Sequence, residues 1–179
     1  MTETEPKSYG EGNERPTIAF FQGSGLLPKT IMRAIGSTVS HTAIGGADLF
    51  GTKVFIHASI GGVQACDRAT MLAAHHMVAE FRILADVDTQ NAVKKLGEKY
   101  NYVGLFGFLP VILAWRWFKK RLRNPFSSPH ALVCSELVRE LDPEGAVIPE
   151  WKERSLHETD PGWLYEWCQK DTLRFERLT

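Results

Sequence analysis

The chain has 179 residues, enough for one domain with a real buried core. Hydrophobic residues make up 44% and charged residues 23%, an ordinary globular balance. The 21 basic and 21 acidic residues cancel, which removes any global electrostatic case for nucleic acid as a partner. Residues 1–16 are polar, lean acidic and lack an apolar segment, so they read as a disordered leader rather than a signal peptide. The folded domain is then expected over residues 17–179. Cys66, Cys134 and Cys168 form neither a C-x-x-C pair nor an even-numbered framework, which fits a reducing, cytoplasmic setting.

In chain order, residues 17–21 are an apolar run closed by Gln22-Gly23-Ser24-Gly25, a buried strand and a turn. Residues 26–35 space Leu27, Ile31 and Ile35 four apart, which predicts a short helix. A small-residue loop, 36–40, leads into His41. Strands are expected at 41–45 and 53–58, paired as a hairpin around 46–51, with a third at 63–66. Residues 70–77 suit a short helix, 78–87 a strand, and 89–96 a helix capped by Asp88 or Thr89 and stopped by Gly97. Strands cluster in the middle and helices at both ends, so the expected class is α+β with an antiparallel sheet.

Residues 100–118 are strongly apolar and aromatic, and Lys119, Lys120, Arg121 and Arg123 follow at once. Pro110 and Arg116 break the run, which is too short for a transmembrane span. Two readings stay open: a core helix with a solvated basic end, or a membrane-surface patch over 104–123, with 102–118 as a substrate-channel wall or lid. In 124–138 a helix start is written out: Ser127 or Ser128 as cap, Pro129 at the first position, then an apolar face. That setting places Cys134 near a helix N-terminus, which favours the thiolate. Thr159-Asp160-Pro161 opens a last helix, with Trp163, Leu164 and Trp167 expected to pack on the sheet.

A cysteine nucleophile needs a base, and the base needs an orienting group. Cys66 and Cys168 lack a comparable context. Of six histidines, His75 and His76 read as surface or half-buried, His130 lies on the first turn of the cysteine's own helix, and His157 sits in a charged loop. His41 opens a strand and His57 ends the next one, so a hairpin stands them at the same end of adjacent strands. One imidazole can then orient the other. The same pair falls short of a zinc shell, since no third ligand follows at a recognisable spacing.

These residues carry a resemblance. The run IAFFQGSGLLPKTIMRAIGSTVSHTAIGG resembles the opening of the permuted papain-like, NlpC-type cysteine enzymes, which include the YiiX/YaeF-like bacterial proteins and the lecithin:retinol acyltransferase relatives. Ser40-His41 is similar to the family's base position, and Cys134-Ser135-Glu136-Leu137-Val138 to its nucleophile helix. LGEKYNYVGLFGFL, RNPFSSPHALVCSELV and TDPGWLYE look like the family's later segments, in the same order. Where many bacterial members carry a glutamate, this chain has His57, as the acyltransferase relatives do.

The resemblance implies a permuted papain-like α+β fold, with a small antiparallel sheet packed against the nucleophile helix. It implies Cys134 as nucleophile, His41 as base and His57 as the orienting residue, with no cofactor or metal. The expected activity is a thiol hydrolase of amidase or peptidase type acting on an amide or ester in a peptide or lipid. Two alternatives stay open, a lipid-directed acyltransferase or hydrolase at a membrane surface and a non-catalytic ligand-binding module.

Overall fold

The computed structural model describes residues 15–59, 61–100, 131–132, 134–145, 148–149 and 159–179. Residues 1–14 of the leader, the apolar and basic stretch 104–123 with its membrane-patch or lid reading, His130 and His157 lie outside these residues. The described part is α+β. Six strands form one antiparallel sheet: β1 (Thr17–Gln22), β2 (His41–Leu49), β3 (Thr52–Ser59), β4 (Gly62–Cys66), β5 (His76–Ile83) and β8 (Phe175–Arg177). Their spatial order is β4-β3-β2-β1-β5-β8. A separate parallel pair joins β6 (Lys99–Tyr100) to β7 (Ala131–Leu132).

β1 runs through the middle of the sheet, buried over its first five residues, because its continuous apolar run suits a strand covered on both faces. One face carries Ile18, Phe20, Ile44, Ile56, Phe81 and Ile83. Against it pack α4 (Cys134–Arg139), through Cys134, Leu137 and Val138, and α5 (Pro161–Lys170), through Leu164 and Cys168. The other face is smaller, built from Ala19, Phe21, Ala43 and Phe55, and is covered by Met71 of α2 (Arg68–Ala74). Residues that alternate along β1 therefore feed two different cores.

β2 and β3 form the expected hairpin with longer strands and a tighter turn. Only Phe50 and Gly51 lie between them, both with positive φ, the type I′ geometry that matches strand twist. A bulge between Ile44 and Ala47 bends β2, where Gly46 takes φ 76°. At Gly45 a Cβ would lie 2.3 Å from the Thr17 hydroxyl oxygen, so the backbone passes too close for a side chain.

Three expectations shift. The cysteine helix does not start at Pro129: residues 131–132 pair as β7, and the helix begins at Cys134 itself. The 70–77 helix starts earlier, since Asp67 caps it by accepting from the Thr70 N–H at 2.8 Å, and it ends at Ala74 so that β5 can begin at His76. The 89–96 helix keeps only four residues, α3 (Gln90–Val93), with turns on to Gly97. α1 (Leu26–Ile35) forms as expected and stops at Gly36 in the left-handed conformation. α5 has the expected cap: Asp160 accepts from the Trp163 N–H at 2.8 Å, with Pro161 first in the helix.

Candidate active site

Ser40 sets the start of β2. Its N–H donates to the Phe21 carbonyl at 3.0 Å, and its hydroxyl accepts from the Gly23 N–H at 3.0 Å. The beginning of β2 is thereby sewn to the end of β1, and His41 leaves from a fixed backbone. His57 comes from the antiparallel partner β3. Nε2 of His41 lies 3.1 Å from Nδ1 of His57, with the two rings nearly perpendicular at 85°. The structure thus brings the expected base and orienting residue into direct contact.

A third ring joins them. His75, at the C-terminal end of α2, stacks on His41 with centroids 5.1 Å apart and 28° between planes, and lies 6.3 Å from His57. Phe21 backs the group, 6.3 Å from His41 and 6.0 Å from His75. One nitrogen of each imidazole lies within 4.8 Å of those of the other two, so the trio has the makings of a metal-ligand set. Spacing in the sequence did not reveal His75. Its place depends on β5 pairing with β1, a contact between residues some sixty positions apart.

All three rings are held neutral. Burial, and then the neighbouring imidazoles His57 and His75, keep His41 well below the ordinary histidine range. Burial first and His75 second lower His57 to about 4. Burial alone lowers His75.

Cys134 is the first residue of α4 and is buried in the larger core. Burial pushes its thiol up, while the amide and hydroxyl of Thr42 and the amides of Ser135 and Cys134 pull it partly back. The Thr42 hydroxyl is buried and makes no hydrogen bond of normal geometry among the described residues, so its pull on the sulfur is electrostatic. Thr42 follows His41 directly, and successive strand residues point to opposite faces. The thiol thus sits beside the residue next to His41, on the α4 side of β2, and among the described residues no hydrogen bond joins it to His41. Ser135 anchors the helix start by donating to the Thr159 carbonyl at 2.7 Å.

The remaining cysteines stand apart. Cys168 is buried in α5, where desolvation first and the Asp171 charge second raise its thiol. Cys66 is half-buried at the end of β4, raised by burial and then by Asp67. All three are free thiols. Set against protein-family models, curated proteins and solved structures, the chain matches none of them. No described helix is long and apolar enough to cross a membrane.

Proposed function

We propose that the chain is a cysteine hydrolase of amidase or peptidase type, on a permuted papain-like, NlpC-type arrangement of its α+β fold. The observation that carries this reading is the 3.1 Å contact between Nε2 of His41 and Nδ1 of His57. A neutral His41 that donates from Nε2 to His57 keeps its lone pair on Nδ1, the nitrogen a thiol would address. His57 then holds the ring's tautomer and steadies the imidazolium when it forms. The Cys134 sulfur lies beside Thr42, the residue next to His41 but on the opposite face of β2, so the reaction requires the start of β2 or of α4 to shift until sulfur and imidazole meet.

In the reaction, Nδ1 of His41 takes the Cys134 proton and the thiolate attacks the substrate carbonyl carbon, forming a C–S bond. The main-chain N–H groups of Cys134 and Ser135, which already face the sulfur, receive the developing oxyanion. Collapse breaks the C–N or C–O bond, and the leaving amine or alcohol takes the proton from His41. Water, activated by His41, then cleaves the thioester and restores the thiol. A hydroxyl or amine acceptor in place of water would make the same chemistry a transfer. The substrate is an amide or ester of a peptide or lipid.

One observation favours the non-catalytic alternative: the thiol is raised and lies against Thr42 rather than His41. The rate of Cys134 alkylation by iodoacetamide against pH, with Cys66 and Cys168 replaced by Ser, separates the two. Fast alkylation well below the usual thiol range of about pH 8.5, abolished in His41→Ala, supports the hydrolase. Coincident profiles at an ordinary thiol pKa leave a binding module.

A further inference from the structure

His75 has no part in the thiol chemistry, yet its position is tightly set. It ends α2 with extended backbone, φ −138° and ψ 142°, and its N–H donates to the Met71 carbonyl at 3.0 Å. The chain turns there into β5, which directs the ring over His41. Nδ1 of His75 is buried and has no hydrogen-bond partner among the described residues. A buried polar nitrogen left unpaired destabilises a fold, so one kept beside two further imidazoles calls for something to meet it.

We propose that His41, His57 and His75 form a binding site for one divalent zinc-class ion, with three imidazole ligands and the fourth tetrahedral position left to water. Zinc bound by nitrogen at about 2.1 Å sets neighbouring ligand atoms roughly 3.4 Å apart. The His41–His57 pair already stands at 3.1 Å. The His75 nitrogen lies no more than 4.8 Å from the others, a gap that rotation of one ring at a helix end closes. Neutral imidazole is the ligating form, and uncharged rings bring no mutual repulsion that the ion must overcome. The ligands come from β2, β3 and the α2–β5 junction, so a bound ion staples α2 to the sheet.

Binding replaces the His41–His57 hydrogen bond. The ring that carried the bridging proton takes its other tautomer, and the ion keeps its charge. For His41 that tautomer puts the proton on Nδ1, the nitrogen the thiol chemistry would use. Ion and thiol chemistry therefore exclude each other at His41, but the metal site stands without the hydrolase reading.

The test uses the untagged full chain, stripped with chelator and titrated with Zn2+ and, separately, with Co2+. The expected result is one ion per chain and a visible Co2+ d–d spectrum without a thiolate charge-transfer band. Affinity should fall more than about 100-fold in His75→Gln, beyond the effect of losing an outer partner, and stay unchanged in His76→Ala. A thiolate band, less than stoichiometric uptake, or equal affinity in His75→Gln would overturn the site. Should His75→Gln fail to fold, the stoichiometry and Co2+ spectrum of the unaltered chain decide alone.

Discussion

Nε2 of His41 and Nδ1 of His57 share a single proton across 3.1 Å, and neither ring readily accepts a second one. The two nitrogens are thereby committed to each other, which leaves the outer nitrogens for any further partner. Replacing His57 by Phe keeps a ring of similar bulk while deleting the acceptor. Alkylation of Cys134 at neutral pH is expected to slow about tenfold in His57→Phe, against about 100-fold in His41→Ala. Equal rates in His57→Phe and the unaltered chain would remove His57 from the orienting role.

The depressed histidines make the fold sensitive to mild acid. Unfolded, these rings titrate near 6.5; folded, His57 does so at about 4, and His41 and His75 are also lowered. Between those values the unfolded chain binds protons that the folded chain refuses, so unfolding free energy rises with pH across that window. The urea midpoint is expected to be steady above about pH 7 and to fall progressively from about pH 6.5 toward 5. His75→Gln should lessen the slope, and a flat midpoint over that range would contradict neutral burial.

Glu80 is buried on β5, where it accepts from the Thr17 hydroxyl at 2.8 Å and pairs with Arg68 of α2 at 2.7 Å. Arg68 also lies over the Phe55 ring, 5.6 Å from its centroid. Arg68→Ala would strand a desolvated carboxylate, at a cost of about 2 kcal/mol; the exposure of the Arg68 side chain keeps this below a fully buried pair. Adding Glu80→Gln to Arg68→Ala should restore part of the loss, as read from urea denaturation. An unchanged midpoint in Arg68→Ala would show that the pair contributes nothing to holding α2.

Phe50 is fully exposed and sits at φ 53°, beside Gly51 at φ 81°, in the β2–β3 turn. A non-glycine residue in the left-handed region is strained, and asparagine tolerates it far better than phenylalanine. Phe50→Asn creates the favoured Asn-Gly turn and should stabilise the chain by about 0.5–1 kcal/mol, seen as a higher Tm. A lower Tm would mean that the Phe50 ring makes a stabilising contact.

Much of this was legible in the residues. The β2–β3 hairpin, α1 and the α5 cap follow from glycine turns, fourfold apolar spacing and Asp160-Pro161, all local signals. The meeting of His41 and His57 follows from hairpin geometry. What eluded a linear reading depends on distant partners. β8 is three residues long and exists because Phe81, Arg82 and Ile83 offer it an edge. The serines and proline before Cys134 looked like a helix cap, but residues 131–132 pair with β6 and the helix begins at Cys134. His75 follows the same rule: an unremarkable histidine in sequence, it enters the site only because β5 lies beside β1.

The Ser40 clasp also closes a loop of chain between its ends. Residues 23–40, α1 included, leave the sheet and return to it through a mouth closed by two 3.0 Å hydrogen bonds. Val39, buried in the core just before the clasp, anchors the returning end, and β2 takes its bearing from β1 through the clasp. The place of the imidazole cluster is thus set from the β1 side of the sheet, at the clasp itself.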